Sequence, residues 1–194
     1  MVVLIGILFI RIIINGGINW DTVYQDYNSF TFNSIDFLDI QNGVVVGCRY
    51  DGVAQTHYSI VLFTYDGGDT WQPRYLSNCL ADVQILDINK IIAVGSIEIP
   101  NFLGVIYIST NGGNNWSSNY SNNSLFRGLY FFDQMNGYVT DVLNGRIKRT
   151  NDGGVTWVNQ YTLPLSFLTD IYFVDHINGW AVGGNGTILH TTNG

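Results

Sequence analysis

From residue 34 onward the chain is a succession of apolar runs five or six residues long, separated by Asn-Gly, Gly-Gly and other polar turn pairs. Runs of that length between turn residues predict β-strands joined by hairpins. No stretch shows the 3.6-residue period of an amphipathic helix, so the pattern predicts an all-β chain. The runs fall into a repeating order. Ser34-Ile-Asp-Phe, Leu80-Ala-Asp-Val-Gln-Ile, Phe126-Arg-Gly-Leu-Tyr-Phe and Leu168-Thr-Asp-Ile-Tyr-Phe each predict a first strand. A turn of the Asn-Gly kind leads to a second strand ending near Val-Gly. A variable loop follows, then a third strand such as Gly145-Arg-Ile-Lys-Arg-Thr150, a tight turn, and a fourth strand that begins at a tryptophan.

The tight turn is the most regular part of the repeat. Thr64-Tyr-Asp-Gly-Gly-Asp-Thr-Trp71, Ser109-Thr-Asn-Gly-Gly-Asn-Asn-Trp116 and Thr150-Asn-Asp-Gly-Gly-Val-Thr-Trp157 align without gaps. Asn15-Gly-Gly-Ile-Asn-Trp20 is a weaker copy, and Thr191-Thr-Asn-Gly194 is the opening of another. Trp20, Trp71, Trp116 and Trp157 recur every 41 to 51 residues (157 − 116 and 71 − 20). Four strands in such a period make a propeller blade, which cannot cover both its faces alone and so packs beside its neighbours around an axis. The expectation is a β-propeller of about four blades, each of four antiparallel strands, with the last one incomplete. The blades fall at about 34–76, 80–120, 126–161 and 168–194 within a propeller region 19–194. Two architectures fit: a fragment of a larger propeller, or a four-bladed ring whose last blade takes its fourth strand from Asn19-Trp-Asp-Thr-Val-Tyr24.

Each turn residue has a physical task. Gly67-Gly68, Gly112-Gly113 and Gly153-Gly154 accept positive φ without steric cost. Asp66, Asn111 and Asp152 can accept backbone N–H bonds inside the turn, as can the Thr or Ser two positions earlier. Trp71, Trp116 and Trp157 bring apolar area to the gap between blades. A calcium loop needs acidic oxygens at alternating positions and a distal Glu, which these turns lack, so Gly68, Gly113 and Gly154 with their neighbours read as structure and not as a metal site. The turns resemble the Asp-box (bacterial neuraminidase) repeat, Ser/Thr-x-Asp-x-Gly-x-Thr-Trp. The wider unit, above all Asn178-Gly-Trp-Ala-Val-Gly-Gly-Asn-Gly-Thr-Ile-Leu-His-Thr-Thr-Asn-Gly194, resembles the photosystem II assembly-factor-like family of propellers, many of them secreted or surface proteins of bacteria. The resemblance covers about residues 34 to 194 and implies fold far more specifically than function.

Composition narrows the classes. The charged fraction is only 12% and the net charge −7, with eight basic residues. Arg146, Lys148 and Arg149, the densest basic run, alternate along one strand, so nucleic acid is not an expected partner. Residues 1–14 form an apolar run too short to span a bilayer. With residues 1–18 as a whole it reads as a signal-peptide-like leader, or else as a buried strand of a preceding blade. Secretion or display at the cell surface is expected. Cys48 and Cys79 are too few for a zinc site. Both fall on one face of the propeller, where a disulfide or two buried thiols would fit.

Candidate chemistry is sparse. The sialidases among Asp-box propellers use three arginines, a Tyr–Glu nucleophile pair and an acid Asp, because a carboxylate is gripped by guanidinium forks. Here Glu98 is the sole glutamate and the six arginines are scattered. His57, His176 and His190 lack metal-binding partners, and no cofactor is expected. The loops joining strands two and three, and those joining blades, open on the face opposite the Asp boxes. Arg49, Tyr50, Tyr58, Glu98, Phe102 and Asp141 on that face are the candidate binding residues, since loops on a rigid scaffold carry function. The leading expectation is a non-catalytic interaction module for a protein or glycan. The alternatives are a sialidase-like glycoside hydrolase fragment and an assembly or stability factor of a membrane protein complex.

Overall fold

A computed structural model describes residues 21–25, 30–54, 56–97 and 102–194. Among the described residues fifteen strands form four antiparallel meanders. Blade one is β1 (Thr31–Phe37), β2 (Gly43–Asp51), β3 (Thr56–Thr64) and β4 (Gln72–Ser77). Blade two is β5 (Cys79–Ile85), β6 (Ile91–Ile97), β7 (Leu103–Ser109) and β8 (Ser117–Asn122). Blade three is β9 (Phe126–Phe131), β10 (Gly137–Asp141), β11 (Arg146–Thr150) and β12 (Val158–Thr162). Blade four has three strands, β13 (Leu168–Phe173), β14 (Gly179–Gly183) and β15 (Ile188–Thr191), with β15 at its edge. Among the described residues no helix is long and apolar enough to cross a membrane.

The blades pack face to face through their inner strands, β1 on β5, β5 on β9 and β9 on β13, and among the described residues no comparable packing joins blade four to blade one. Strand alternation gives each middle strand two apolar faces, so each gap between blades holds its own core. Val44, Val46, Val61 and Phe63 of blade one meet Leu80, Val83, Ala93 and Val105 of blade two. Ile92, Val94 and Ile106 meet Phe126, Phe131 and Val139 in the next gap. Tyr138 meets Leu168, Ile171, Phe173 and Ala181 in the third.

The inner strands are also stitched by side chains that satisfy the next blade's backbone. Asp36 accepts from Ile85 N at 2.6 Å, Gln84 accepts from Phe131 N at 2.7 Å, and Asp82 accepts from both the Ser34 hydroxyl and Leu129 N. Burial pushes the Asp82 carboxyl above the usual carboxylate range. In the last gap Gly128 lets β13 approach, since a Cβ there would lie 2.7 Å from Asp170 Cα.

The boxes form as a set. In the first, the Thr64 hydroxyl donates to Asp66 Oδ1 and accepts from Gly68 N, while Asp66 accepts from the backbone and hydroxyl of Thr70. Ser109 with Asn111, and Thr150 with Asp152, repeat the arrangement. Gly67, Gly112 and Gly153 donate to Gln41, Asn89 and Met135 O, which ties each box to the turn between strands one and two of its own blade. Gly113 also packs so closely on the preceding blade that a Cβ would meet the Phe63 ring at 2.2 Å.

The described part of the segment that a four-bladed ring would use to complete blade four, residues 21–24, is not in that place. Residues 21–25 carry no strand, and Tyr24 packs with Phe30 and Trp71 on Val45, Ile60 and Leu62, the face of blade one turned away from blade two. That face needs apolar cover, and the Tyr24 ring supplies it, standing 5.9 Å from Phe32. The leader, 1–18, and the weak box at Asn15–Trp20 lie outside the described residues.

Candidate functional site

Hydrogen bonds between loops define the face opposite the boxes. Asn78 N donates to His57 O, Asn123 N to Phe102 O, Val142 N to Leu125 O, and Leu163 N to Gly145 O. Each loop between strands two and three is thereby tied to the blade connection beside it.

Blade one differs from the others on this face. Its β2–β3 ladder runs through nine residue pairs, from Gly43↔Thr64 to Asp51↔Thr56, against seven in blade two. The last pairs, Arg49↔Tyr58, Tyr50↔His57 and Asp51↔Thr56, extend the hairpin at its loop end. Asp51 shapes the tip by accepting from Val53 N and Ala54 N at 2.9 and 3.0 Å. Those backbone bonds, Ala54's first, hold its carboxyl below the ordinary range.

Alternation sorts the hairpin's side chains to two sides. Arg49 and Tyr58 lie on the side facing away from blade two, where the guanidinium sits 5.0 Å from the Phe30 ring centre and 5.9 Å from that of Tyr58. Tyr50 and His57 lie on the side of Val44, Val46 and Cys48, which is the seam between blades one and two. Their rings are 5.0 Å apart, and Tyr50 is half exposed. Below them the seam is closed covalently: Cys48 of β2 is disulfide-bonded to Cys79 at the start of β5, with Cα atoms 5.0 Å apart. Phe102 is exposed on the β6–β7 connection of blade two, where its carbonyl accepts from Asn123 N, and by the alternation along β7 it shares the side of Gly104 and Ile106, which face blade three. Val53 at the hairpin tip is 98% exposed.

The structure therefore brings Tyr50, His57 and the Cys48–Cys79 bond to one seam, with Arg49 and Tyr58 on the hairpin's back, and it leaves Phe102 on the blade-three side of blade two. Glu98 lies outside the described residues. Asp141 belongs elsewhere. It is fully buried, and its carboxylate accepts from Leu125 N at 3.0 Å and from the Asn144 amide at 2.9 Å. The reason is its position at the end of β10, where the blade connection carrying Leu125 crosses over it. Asp141 closes that junction and offers no exposed carboxylate to a ligand.

Two features of this face carry no sequence signal. Leu165 and Phe167, in the connection from blade three to blade four, have φ of +65° and +46°. Bulky side chains rarely adopt that region, and both are exposed. Composition marks the segment as a loop but says nothing of its backbone. His57 joins the site only because the hairpin register sets it opposite Tyr50.

Three of the described arginines are engaged apart from one another. Arg74 lies over Phe63 and donates to Gly112 O, Arg149 lies over Tyr138, and Arg49 lies over Phe30. A carboxylate clamp needs guanidinium groups converging on one point, and these three serve separate strands. Among the described residues no cluster of His, Cys, Asp or Glu could hold a metal ion.

No family model and no curated protein matches the chain. Solved structures do match it. YCF48 from Cyanidioschyzon merolae superimposes with a TM-score of 0.60 at 17% identity, over 83% of this chain and 50% of that one. YCF48 bound to D1 peptide superimposes with a TM-score of 0.41 at 15% identity, over 92% of this chain and 83% of that one. The chain thus spans half the length of the first of these, and the likeness is one of fold, that of a β-propeller.

Proposed function

We propose that the chain is a non-catalytic interaction module that binds a polypeptide segment at the seam between blades one and two. The observation that carries this reading is the long β2–β3 hairpin with the Tyr50–His57 pair at its exposed end, held over a disulfide-bonded seam. Aromatic side chains on a rigid support are the usual anchors of protein interfaces, because they add contact area with little rotamer entropy to lose. Arg49 and Asp51 give the hairpin a cation and an anion within three residues, suited to the mixed polar rim of such an interface.

The disulfide supports an extracytoplasmic, oxidising compartment as the place of action. An assembly or stability role for a membrane protein complex, which the family resemblance implies, is a finer form of the same reading, since such a factor must hold an extended segment of its client. To test the module, a photo-crosslinking residue is placed at Tyr50 and adducts are identified by mass spectrometry from an extracytoplasmic fraction of the source cells. One protein adduct, lost in the Tyr50→Ala/His57→Ala background when the crosslinker sits at Val53 of the same hairpin, is the expected result. Adducts that persist in that background, or binding to a glycan array alone, would overturn it.

A further inference from the structure

Of the three basic residues on β11, one is drawn into the molecule. Arg146 and Lys148 share the side of the strand that faces blade two, and Arg149 takes the other side, over Tyr138. Lys148 stands opposite Val139, a member of the core between blades two and three, and both of those blades have all four strands.

The surroundings of Lys148 are not those of a solvated ammonium. Its amine donates to the Ser121 hydroxyl of blade two at 3.1 Å and lies 5.5 Å from the centre of the Phe126 ring. Ser121 is held in turn by the buried Ser124, with the two hydroxyl oxygens 3.0 Å apart. Among the described residues no carboxylate bonds to the amine. Asp141 commits its carboxylate to Leu125 N and the Asn144 amide, and Arg146 adds a like charge on the same side of β11.

A lysine drawn out of water, bonded to a neutral hydroxyl and set beside a guanidinium loses its proton more readily than one in solution. Burial acts first in lowering the Lys148 value, the Asp141 charge opposes it and the Arg146 charge adds to it. Desolvation and a neighbouring cation are the two devices that make a lysine nucleophilic. Arg146 also offers a guanidinium fork to an anionic group brought to the amine.

We propose that Lys148 is a site of acylation by small acyl phosphates, with Ser121 orienting the amine and Arg146 holding the phosphate. Lys148 first gives one proton to solvent, and the neutral nitrogen adds to the acyl carbon. An amide C–N bond forms, the C–O bond to the phosphate breaks, and one of the two remaining protons on nitrogen leaves with the phosphate. The amide keeps one N–H to donate to Ser121 and loses the charge that Arg146 opposes. The site lies between blades two and three and does not rest on the reading of the seam between blades one and two.

The chain has one other lysine, Lys90, whose amine donates to Gln134 O on the box face, so every molecule carries its own reference. The full chain is incubated with acetyl phosphate at neutral pH, and peptide mass spectrometry follows acetylation at both positions. Lys148 is expected to react severalfold faster than Lys90, and its rate to level off at a lower pH. The preference is expected to vanish in urea and to fall in Arg146→Gln, while Arg149→Gln on the opposite side of the strand retains it. The comparison within the parent chain needs no variant, so a folding defect cannot mimic it. Acetylation of Lys148 no faster than that of Lys90, or a preference that survives in urea, overturns the proposal. A preference untouched by Arg146→Gln overturns it as well, since the guanidinium then has no part in seating the donor.

Discussion

Trp157 meets Phe131 edge to face, with ring centroids 5.9 Å apart and planes at 86°, and its indole N–H donates to Gly154 O at 2.9 Å. One side chain thus closes its own box and fills the gap beside the preceding blade. Trp71 and Phe37 repeat the geometry at 89°. In blade two Ile85 takes the place of the phenylalanine, and Trp116 turns its edge to Tyr107 instead, at 88°.

Trp157→Ala removes both roles at once. Loss of a partly buried indole from a packed gap costs about 3 kcal/mol, the lower end for Trp→Ala in cores. Trp157→Phe keeps the area but loses the bond to Gly154, and about 1 kcal/mol is expected there. Chemical denaturation of the two variants measures both figures, and a Trp157→Phe variant as stable as the parent would show that the hydrogen bond is irrelevant.

The boxes predict a dependence on acid. Asp66 and Asp152 are lowered from the ordinary 3.8 to about 2, first by the hydroxyl and then by the backbone of Thr70 and Thr156. A carboxyl depressed by folding contributes stability that is complete above its unfolded pKa and is lost as pH falls through its folded value. Melting temperature should therefore drop between about pH 4 and pH 2, and Asp66→Asn/Asp152→Asn should flatten that drop, as Asn111 already does in its own box. Asp82 works in the opposite direction. Its carboxyl is raised, chiefly by burial, so its contribution is present below about pH 4 and declines as pH rises through the folded value. Asp82→Asn should remove that decline. Thermal scans from pH 2 to 7 check both.

The Cys48–Cys79 bond closes a loop with a sequence separation of 31 between blades one and two. A loop of that size is expected to contribute about 3 kcal/mol, mostly by restricting the unfolded chain. Thiol titration of denatured, unreduced protein should find no reactive thiol. Reduction, or Cys48→Ser/Cys79→Ser, should lower the melting temperature and loosen the seam under Tyr50, weakening ligand capture there together with stability.

How far these features were legible depends on whether they are local. The box Asp–Thr bonds join residues two to four apart, and a gap-free repeat displays them directly. The turns between strands one and two are local as well. Asp39, Asp87, Asp133 and Asp175 each accept the N–H groups two and three residues on, a regularity written in the sequence beside the Asn-Gly pairs. The direction in which each tryptophan packs is not local, because it depends on how one blade leans on another. Asp141 illustrates the same limit. Its place at a strand end facing the loop side suggested exposure, and only the crossing of the Leu125 connection shows that it is covered. Tyr24 had two apolar surfaces to choose between, and Val45, Ile60 and Leu62 of blade one hold it.

Asp141 and Tyr50 give opposite expectations from positions on one face of the arc. Asp141→Ala leaves the buried Leu125 N–H and the Asn144 amide without their acceptor, and a buried donor stranded in this way costs about 1–3 kcal/mol. Asp141→Asn keeps one carbonyl oxygen for Leu125 N and should recover much of that loss. Tyr50→Ala removes a half-exposed ring from a hairpin end and should change stability by less than about 0.5 kcal/mol, as surface substitutions do. The ligand readout should invert the order: Tyr50→Ala loses capture at the seam, while Asp141→Asn, two blades away, retains it. A Tyr50→Ala variant that lost stability as Asp141→Ala does would mean that the hairpin is braced by the ring and not freed to display it, and the ligand site would then have to be sought elsewhere on the loop face.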